Sequence, residues 1–244
     1  VLEAPSAMAA SGNPIASDVG RDIMRAGGNA VDAAVAVGFA LAVTHPEAGN
    51  IGGGGFMMIR LKDGTVASLD YRETAPGKAS RDMYLDANGK LTDKSVYGHL
   101  ASGVPGSVAG MLEAHRKYGK LPLKRLIAPA IALARDGFLI DSSRSRSLRG
   151  HVARLKEYPA SAAQFVINGK EPMPGTVFKQ PELAKTLAAI SARGRDGFYK
   201  GWVADAIVAE MARGGGIISH ADLAAYQPKW RTPIAINYRG WTIY

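Results

Sequence analysis

Arg72, in Tyr71-Arg72-Glu73-Thr74-Ala75-Pro76, is the residue of the chain that points most directly to chemistry. A guanidinium is a planar cation whose donors can grip a carboxylate at two points, a geometry that lysine cannot offer. A pocket for a small anionic substrate is therefore one reading. The other is structural: along an extended segment Val66, Ser68, Asp70 and Arg72 share a face, so Asp70 could neutralise Arg72. Residue types and spacing leave both open. Just upstream, four glycines from Gly52 to Gly55 lead directly into the apolar run Phe56-Met57-Met58-Ile59. A flexible linker would have polar neighbours. Backbone stripped of Cβ atoms here must pass close to something or adopt positive φ inside packed structure.

Other chemistries find little support. The histidines, His45, His99, His115, His151 and His220, show no metal-ligand spacing and are expected at the surface or at helix ends. Ser102-Gly103-Val104-Pro105-Gly106-Ser107 is the nearest approach to a nucleophile elbow, but its proline and spacing make it a turn. The glycine run lacks a following lysine and hydroxyl residue and precedes a strand, which excludes a phosphate loop and a dinucleotide fingerprint. With no cysteine, the chain has no disulfide, no thiolate metal site and no thiol nucleophile.

The elements that must position Arg72 follow from periodicity. Ala7 to Ser11 is expected as a short strand closed by Gly12-Asn13-Pro14. Ile15 to Ala26 has helical spacing and ends at Gly27-Gly28; Asn29 and Asp32 then open a slim, alanine-rich helix that stops at His45-Pro46. Phe56 to Leu61 and Val66 to Arg72 form a hairpin around Lys62-Asp63-Gly64-Thr65. From about Leu100 the pattern turns helical, over Val108 to Tyr118, Leu126 to Arg135, Pro181 to Ala192 and Trp202 to Arg213. Ser219 caps a further short helix through Asp222. Arg135-Asp136-Gly137-Phe138 and Arg195-Asp196-Gly197-Phe198 repeat the same letters, read as helix exits and not as a duplicated domain. Thr232 to Tyr244 reads as a strand, a turn and the start of another strand, an apolar edge that wants a partner and suits an incomplete chain.

A length of 244 residues allows one large domain or two small ones, and the composition is that of a globular protein. No apolar stretch reaches the length of a membrane span, and Val1-Leu2-Glu3-Ala4-Pro5 lacks the form of a secretory leader, as a processed protein also would. The net charge of +9 is concentrated between Arg116 and Lys156, where 11 basic residues face two acids; the remainder carries 19 of each sign. Its cluster Ser142-Ser143-Arg144-Ser145-Arg146-Ser147 has no interleaved aromatics to stack on bases, so the block is expected to be a solvated surface or to face an acidic partner subunit, not nucleic acid.

Read together, several segments resemble the large-subunit half of the γ-glutamyltransferases (γ-glutamyl transpeptidases). They are Gly27 to Ala34, His45-Pro46 running into Gly49 to Met57, Tyr71 to Pro76, Ser102 to Gly110, Leu133 to Phe138, and Asp222 to Tyr226. The resemblance implies a mixed α/β (α+β) fold, the αββα sandwich of N-terminal-nucleophile hydrolases. Residues 1–244 would form an incomplete large-subunit region of a single such domain: 1–100 contributing to sheets, 101–230 mainly helical, and 231–244 returning as strands. It also implies autoprocessing of one precursor. The small subunit's new terminal threonine would attack a γ-glutamyl amide such as glutathione, and the acyl group would pass to water or an amino acid. Arg72 then matches the arginine that holds the α-carboxylate of the substrate, with Glu73 orienting the site, and the glycines at 52–55 serve close packing. Val1 does not match the nucleophile, so this chain by itself is expected to be inactive. No cofactor, metal, nucleic acid or membrane span is implied, and the location is periplasmic or secreted. A cephalosporin or glutaryl acylase of the same fold, and a noncatalytic anion-binding module, are the alternatives.

Overall fold

In a computed structural model, which describes Ala4 and residues 6–244, the chain is helix-rich with short antiparallel strands. Val1, and with it the expectation concerning a terminal nucleophile, lies outside the described residues, as does most of the segment read for a leader. Contacts group the chain into two compact units, Val1–Asn50 with Leu121–Ser191 and Ile51–Lys120 with Ala192–Tyr244. No described helix is long and apolar enough to cross a membrane.

In the first unit Asn13 caps the Pro14–Arg25 helix, its Oδ1 accepting from the Ile15 amide at 2.9 Å, while Pro14 occupies the first turn where its missing N–H costs nothing. The next helix, Ala30–Thr44, begins with the expected box: Asp32 N–H donates to Asn29 Oδ1 at 2.9 Å and Asn29 N–H returns to Asp32 Oδ2 at 3.0 Å. Asp32 is fully buried and also accepts from the Leu121 amide at 3.3 Å, so backbone donors help to balance its charge. The alanines let this helix approach Pro14–Arg25 and Leu123–Asp136, with Val35, Phe39 and Val43 fully buried.

The sequence reading fails in several places. Residues 7–11 form no strand; Ser11 Oγ instead bonds Asn13 O at 2.9 Å and Ser17 Oγ at 2.8 Å, tying the segment to the helix start. Gly137, at φ +92°, does end the Leu123–Asp136 helix, but the second copy of the four letters does not repeat that role. Gly194, at φ +57°, has already ended the Pro181–Arg193 helix, and Asp196–Tyr199 forms a helical turn that buries Phe198 and Tyr199. The basic block is exposed except at Arg144, which lies only 7% exposed on the Ser142–Arg149 helix and pairs with Glu47 and with His45 Nδ1.

The second unit is organised around a three-stranded antiparallel sheet ordered Phe56–Arg60, Val66–Asp70, Lys229–Arg231. Gly64 at φ +89° closes the hairpin, and Leu69 and Ile59 face the core. The register pairs Leu69 with Met57 on one side and Trp230 on the other. Trp230 donates to Glu113 of the Ser107–Tyr118 helix at 2.8 Å, which holds the third strand against that helix. The two strands expected near the end are present as Ile236–Tyr238 and Trp241–Ile243, with Trp241 and Ile234 strongly exposed. His99 departs from the surface expectation: its ring is mostly buried and its Nε2 meets Glu210 at 2.7 Å.

Two outcomes are expected. Asp32→Ala strips the acceptor from buried backbone amides and should lower stability by about 2–4 kcal/mol in urea unfolding of the complete protein. Glu210 is held down to about 2 by hydrogen bonds from Arg213 and then His99. Because its folded value is depressed, its contribution is present above about pH 4.5 and is lost as the pH falls toward 2. The carboxylate is partly exposed, so Glu210→Gln should cost about 1 kcal/mol or less at pH 7 and nothing near pH 2, read from unfolding midpoints against pH.

Candidate functional site

The Val66–Asp70 strand stops short of Arg72, and the reason lies in Asp70. Its Oδ1 accepts the Arg72 amide at 3.1 Å, and its Oδ2 takes Arg231 Nη2 at 2.9 Å and Nε at 3.1 Å. The Arg72 amide, followed by Arg231, holds the Asp70 carboxyl below the usual carboxylate range. Asp70 therefore neutralises Arg231 and not Arg72, because the regular alternation of faces ends at Asp70. The Arg72 side chain is 65% exposed, and its Nε lies 3.3 Å from Glu73 Oε2.

The backbone beneath this pair is enclosed by glycines. A Cβ at Gly54 would fall 2.5 Å from Tyr71 O and 2.7 Å from Glu73 N, and one at Gly103 would fall 2.8 Å from Glu73 Cβ. At Gly106 it would meet Tyr71 O at 2.0 Å, and at Gly110 the Tyr71 ring at 2.1 Å. These separations exclude any side chain. None of Gly52 to Gly55 has positive φ, and at Gly54 and Gly55 it is close approach to Tyr71 and Glu73 that the missing Cβ serves. Main-chain bonds complete the enclosure. Tyr71 exchanges bonds with Gly55 at 2.9 and 3.3 Å, and Thr74 exchanges bonds with Val104 at 2.8 and 3.3 Å. Gly53 O accepts from the Gly106 and Ser107 amides at 2.8 and 2.9 Å, in place of a side-chain cap for the Ser107–Tyr118 helix.

Several neighbours escaped the sequence reading. The Tyr226 hydroxyl donates to Arg72 O at 2.9 Å. Its ring lies parallel to Tyr199, centroids 6.0 Å apart, and Tyr199 donates to Pro105 O at 2.8 Å while accepting from the Ala109 amide at 3.2 Å. Burial pushes both phenols up, Tyr226 to about 12. The guanidinium of Arg195 sits 4.4 Å over the Tyr199 ring and donates to Tyr226 O at 2.5 Å. Asp222 caps its helix through Ser219 and also accepts the Gly77 amide at 2.7 Å. The spacing of Ser219 and Asp222 signals the cap; nothing local signals a reach from Tyr226 to Arg72. A cavity of about 330 Å³ adjoins the segment, bordered by Thr74, Val104, Asp222, Tyr226 and Lys229 but not by Arg72 or Glu73. Among the described residues, no three acidic, histidine or cysteine side chains cluster as a metal site would require.

With this geometry in place, comparison with known proteins is informative. Residues 16–244 match the family model described as gamma-glutamyltranspeptidase. The chain is 49% identical to the glutathione hydrolase proenzyme of Escherichia coli (strain K12), a match covering all of this chain and 42% of that protein. It is 41% identical to the acylase ACY 1 proenzyme of Pseudomonas sp. (strain SE83), over 97% of this chain and 44% of that protein. The crystal structure of Helicobacter pylori gamma-glutamyltranspeptidase superposes with a TM-score of 0.97 at 45% identity, covering all of this chain and 70% of that one. The mixed α/β fold expected of an N-terminal-nucleophile hydrolase is thus the observed one, and the chain spans less than half the length of these two curated relatives. This chain belongs to the gamma-glutamyltranspeptidase family.

Proposed function

We propose that this chain is the N-terminal part of the large subunit of a γ-glutamyltransferase, periplasmic or secreted, made as an autoprocessed precursor. The complete enzyme cleaves γ-glutamyl amides such as glutathione through a γ-glutamyl-enzyme intermediate and passes the group to water or an amino acid. The observation that carries this reading is the exposed guanidinium of Arg72 standing on a backbone that cannot yield. A carboxylate that docks there gains two charge-assisted hydrogen bonds without first having to order the protein. Glu73 takes Nε, which turns the Nη1–Nη2 edge toward the ligand. The attacking hydroxyl and the base come from the small subunit of the same precursor. This chain contributes recognition and not the nucleophile.

Identity to acylase ACY 1 supports a second reading, a related acylase acting on a glutaryl-type amide. Both donors carry a carboxylate for Arg72, and only the γ-glutamyl group adds an α-amine. Cleavage of γ-glutamyl-p-nitroanilide by the complete protein, with little action on a glutaryl amide, selects the transferase; the reverse preference selects the acylase. Retention on a polyanion that weakens with salt, with neither activity, would instead indicate an anion-binding module built on the 116–156 block.

Arg72→Ala in the complete, processed protein is expected to weaken donor binding by about 2–5 kcal/mol. Arg72→Lys keeps the charge without the fork and should fall between wild type and alanine. Unchanged KM for γ-glutamyl-p-nitroanilide in Arg72→Ala removes Arg72 from the substrate site.

A further inference from the structure

Arg72 differs from its neighbours in how its backbone is held. Tyr71 and Thr74 are fixed by reciprocal main-chain bonds to Gly55 and Val104. The Arg72 peptide groups have side-chain partners: Asp70 on the N–H and Tyr226 on the C=O. Asp70 is itself anchored by Arg231. Tyr226 is anchored more elaborately, by the parallel ring of Tyr199, by the pull of Arg195 on its carbonyl and by the Gly106 backbone, where a Cβ would strike the phenol oxygen at 2.2 Å. The Arg72 Cα, from which the side chain projects, stands between two peptide groups, one held by Asp70 and the other by this phenol.

We infer that Tyr226 is a positioning residue for substrate recognition, fixing the direction of the Arg72 guanidinium through its hydrogen bond to the Arg72 carbonyl. The inference rests on the reading of Arg72 as the carboxylate clamp. Tyr226 reaches no reacting atom in this chain; it acts through Arg72. Since burial raises its pKa to about 12, it remains a protonated donor throughout the pH range of ordinary assays. Tyr199 and Arg195 support the same bond from behind, Tyr199 through its ring and Arg195 through the Tyr226 carbonyl.

The test is a double-mutant cycle in the complete, processed enzyme, with γ-glutamyl-p-nitroanilide as donor. Tyr226→Phe removes the hydroxyl and keeps the ring that lies against Tyr199. It should raise donor KM about tenfold, the scale of one lost hydrogen bond with its acceptor left unpaired, and leave kcat within about twofold. A thermal midpoint within a few degrees of wild type confirms the fold. Combined with Arg72→Ala, the same change should add about twofold or less to KM, because its route to the substrate is gone. A tenfold effect that persists on the Arg72→Ala background, or a KM unchanged by Tyr226→Phe alone, overturns the positioning role. Arg72→Ala measured alone separates the two ideas: if it leaves KM unchanged the clamp itself fails, and if it raises KM while Tyr226→Phe does not, only the role of Tyr226 fails.

Discussion

Tyr71 to Glu73 run through a channel of backbone in which Gly54, Gly103, Gly106 and Gly110 leave no room for a methyl group. Steric exclusion of this kind does what hydrogen bonds alone do poorly. Each hydrogen bond is worth about 1 kcal/mol net and can be exchanged with water, whereas a van der Waals collision near 2 Å has no alternative. Three stretches distant in sequence, the glycine run, the turn before the Ser107–Tyr118 helix and that helix itself, all depend on this constraint. Each contributes positions at which only glycine fits, and each would have to move if the central segment shifted. The enclosure brings an otherwise ordinary strand end to a fixed place.

Charge is distributed according to the same logic. Arg231 is neutralised by Asp70, Arg144 is buried against Glu47 and His45, and Arg195 donates from Nη2 to the carbonyls of Ala224 and Tyr226. In each case the guanidinium is held by named acceptors of this chain. Arg72 is different: its Nε lies 3.3 Å from Glu73 Oε2, and most of the side chain stands in solvent. A rigid base beneath a solvated cation avoids the penalty of a buried, unpaired charge.

How much of this could be read from the letters varied with the distance over which each contact acts. The Asn29–Asp32 box and the Gly64 hairpin are local, and both formed where their spacing placed them. The glycine run was legible as a demand for close approach, but what approaches it lies at Tyr71 and Glu73, beyond any short window. Arg72 and Asp70 were expected to share a strand face; the strand ended first, because the Asp70 carboxylate prefers the Arg72 amide and Arg231. The second Arg-Asp-Gly-Phe run misled because Gly194 had already provided the exit that Gly197 seemed to promise. Tyr226, 154 residues from its acceptor, leaves no periodic trace at all.

Asp32 accepts from main-chain amides at Asn29 and at Leu121. A bond of that kind recognises the path of the chain and not the side chain of the residue that carries the N–H. At 121, just ahead of the Leu123–Asp136 helix, it sets a demand for a backbone donor that proline alone among the residue types could not supply.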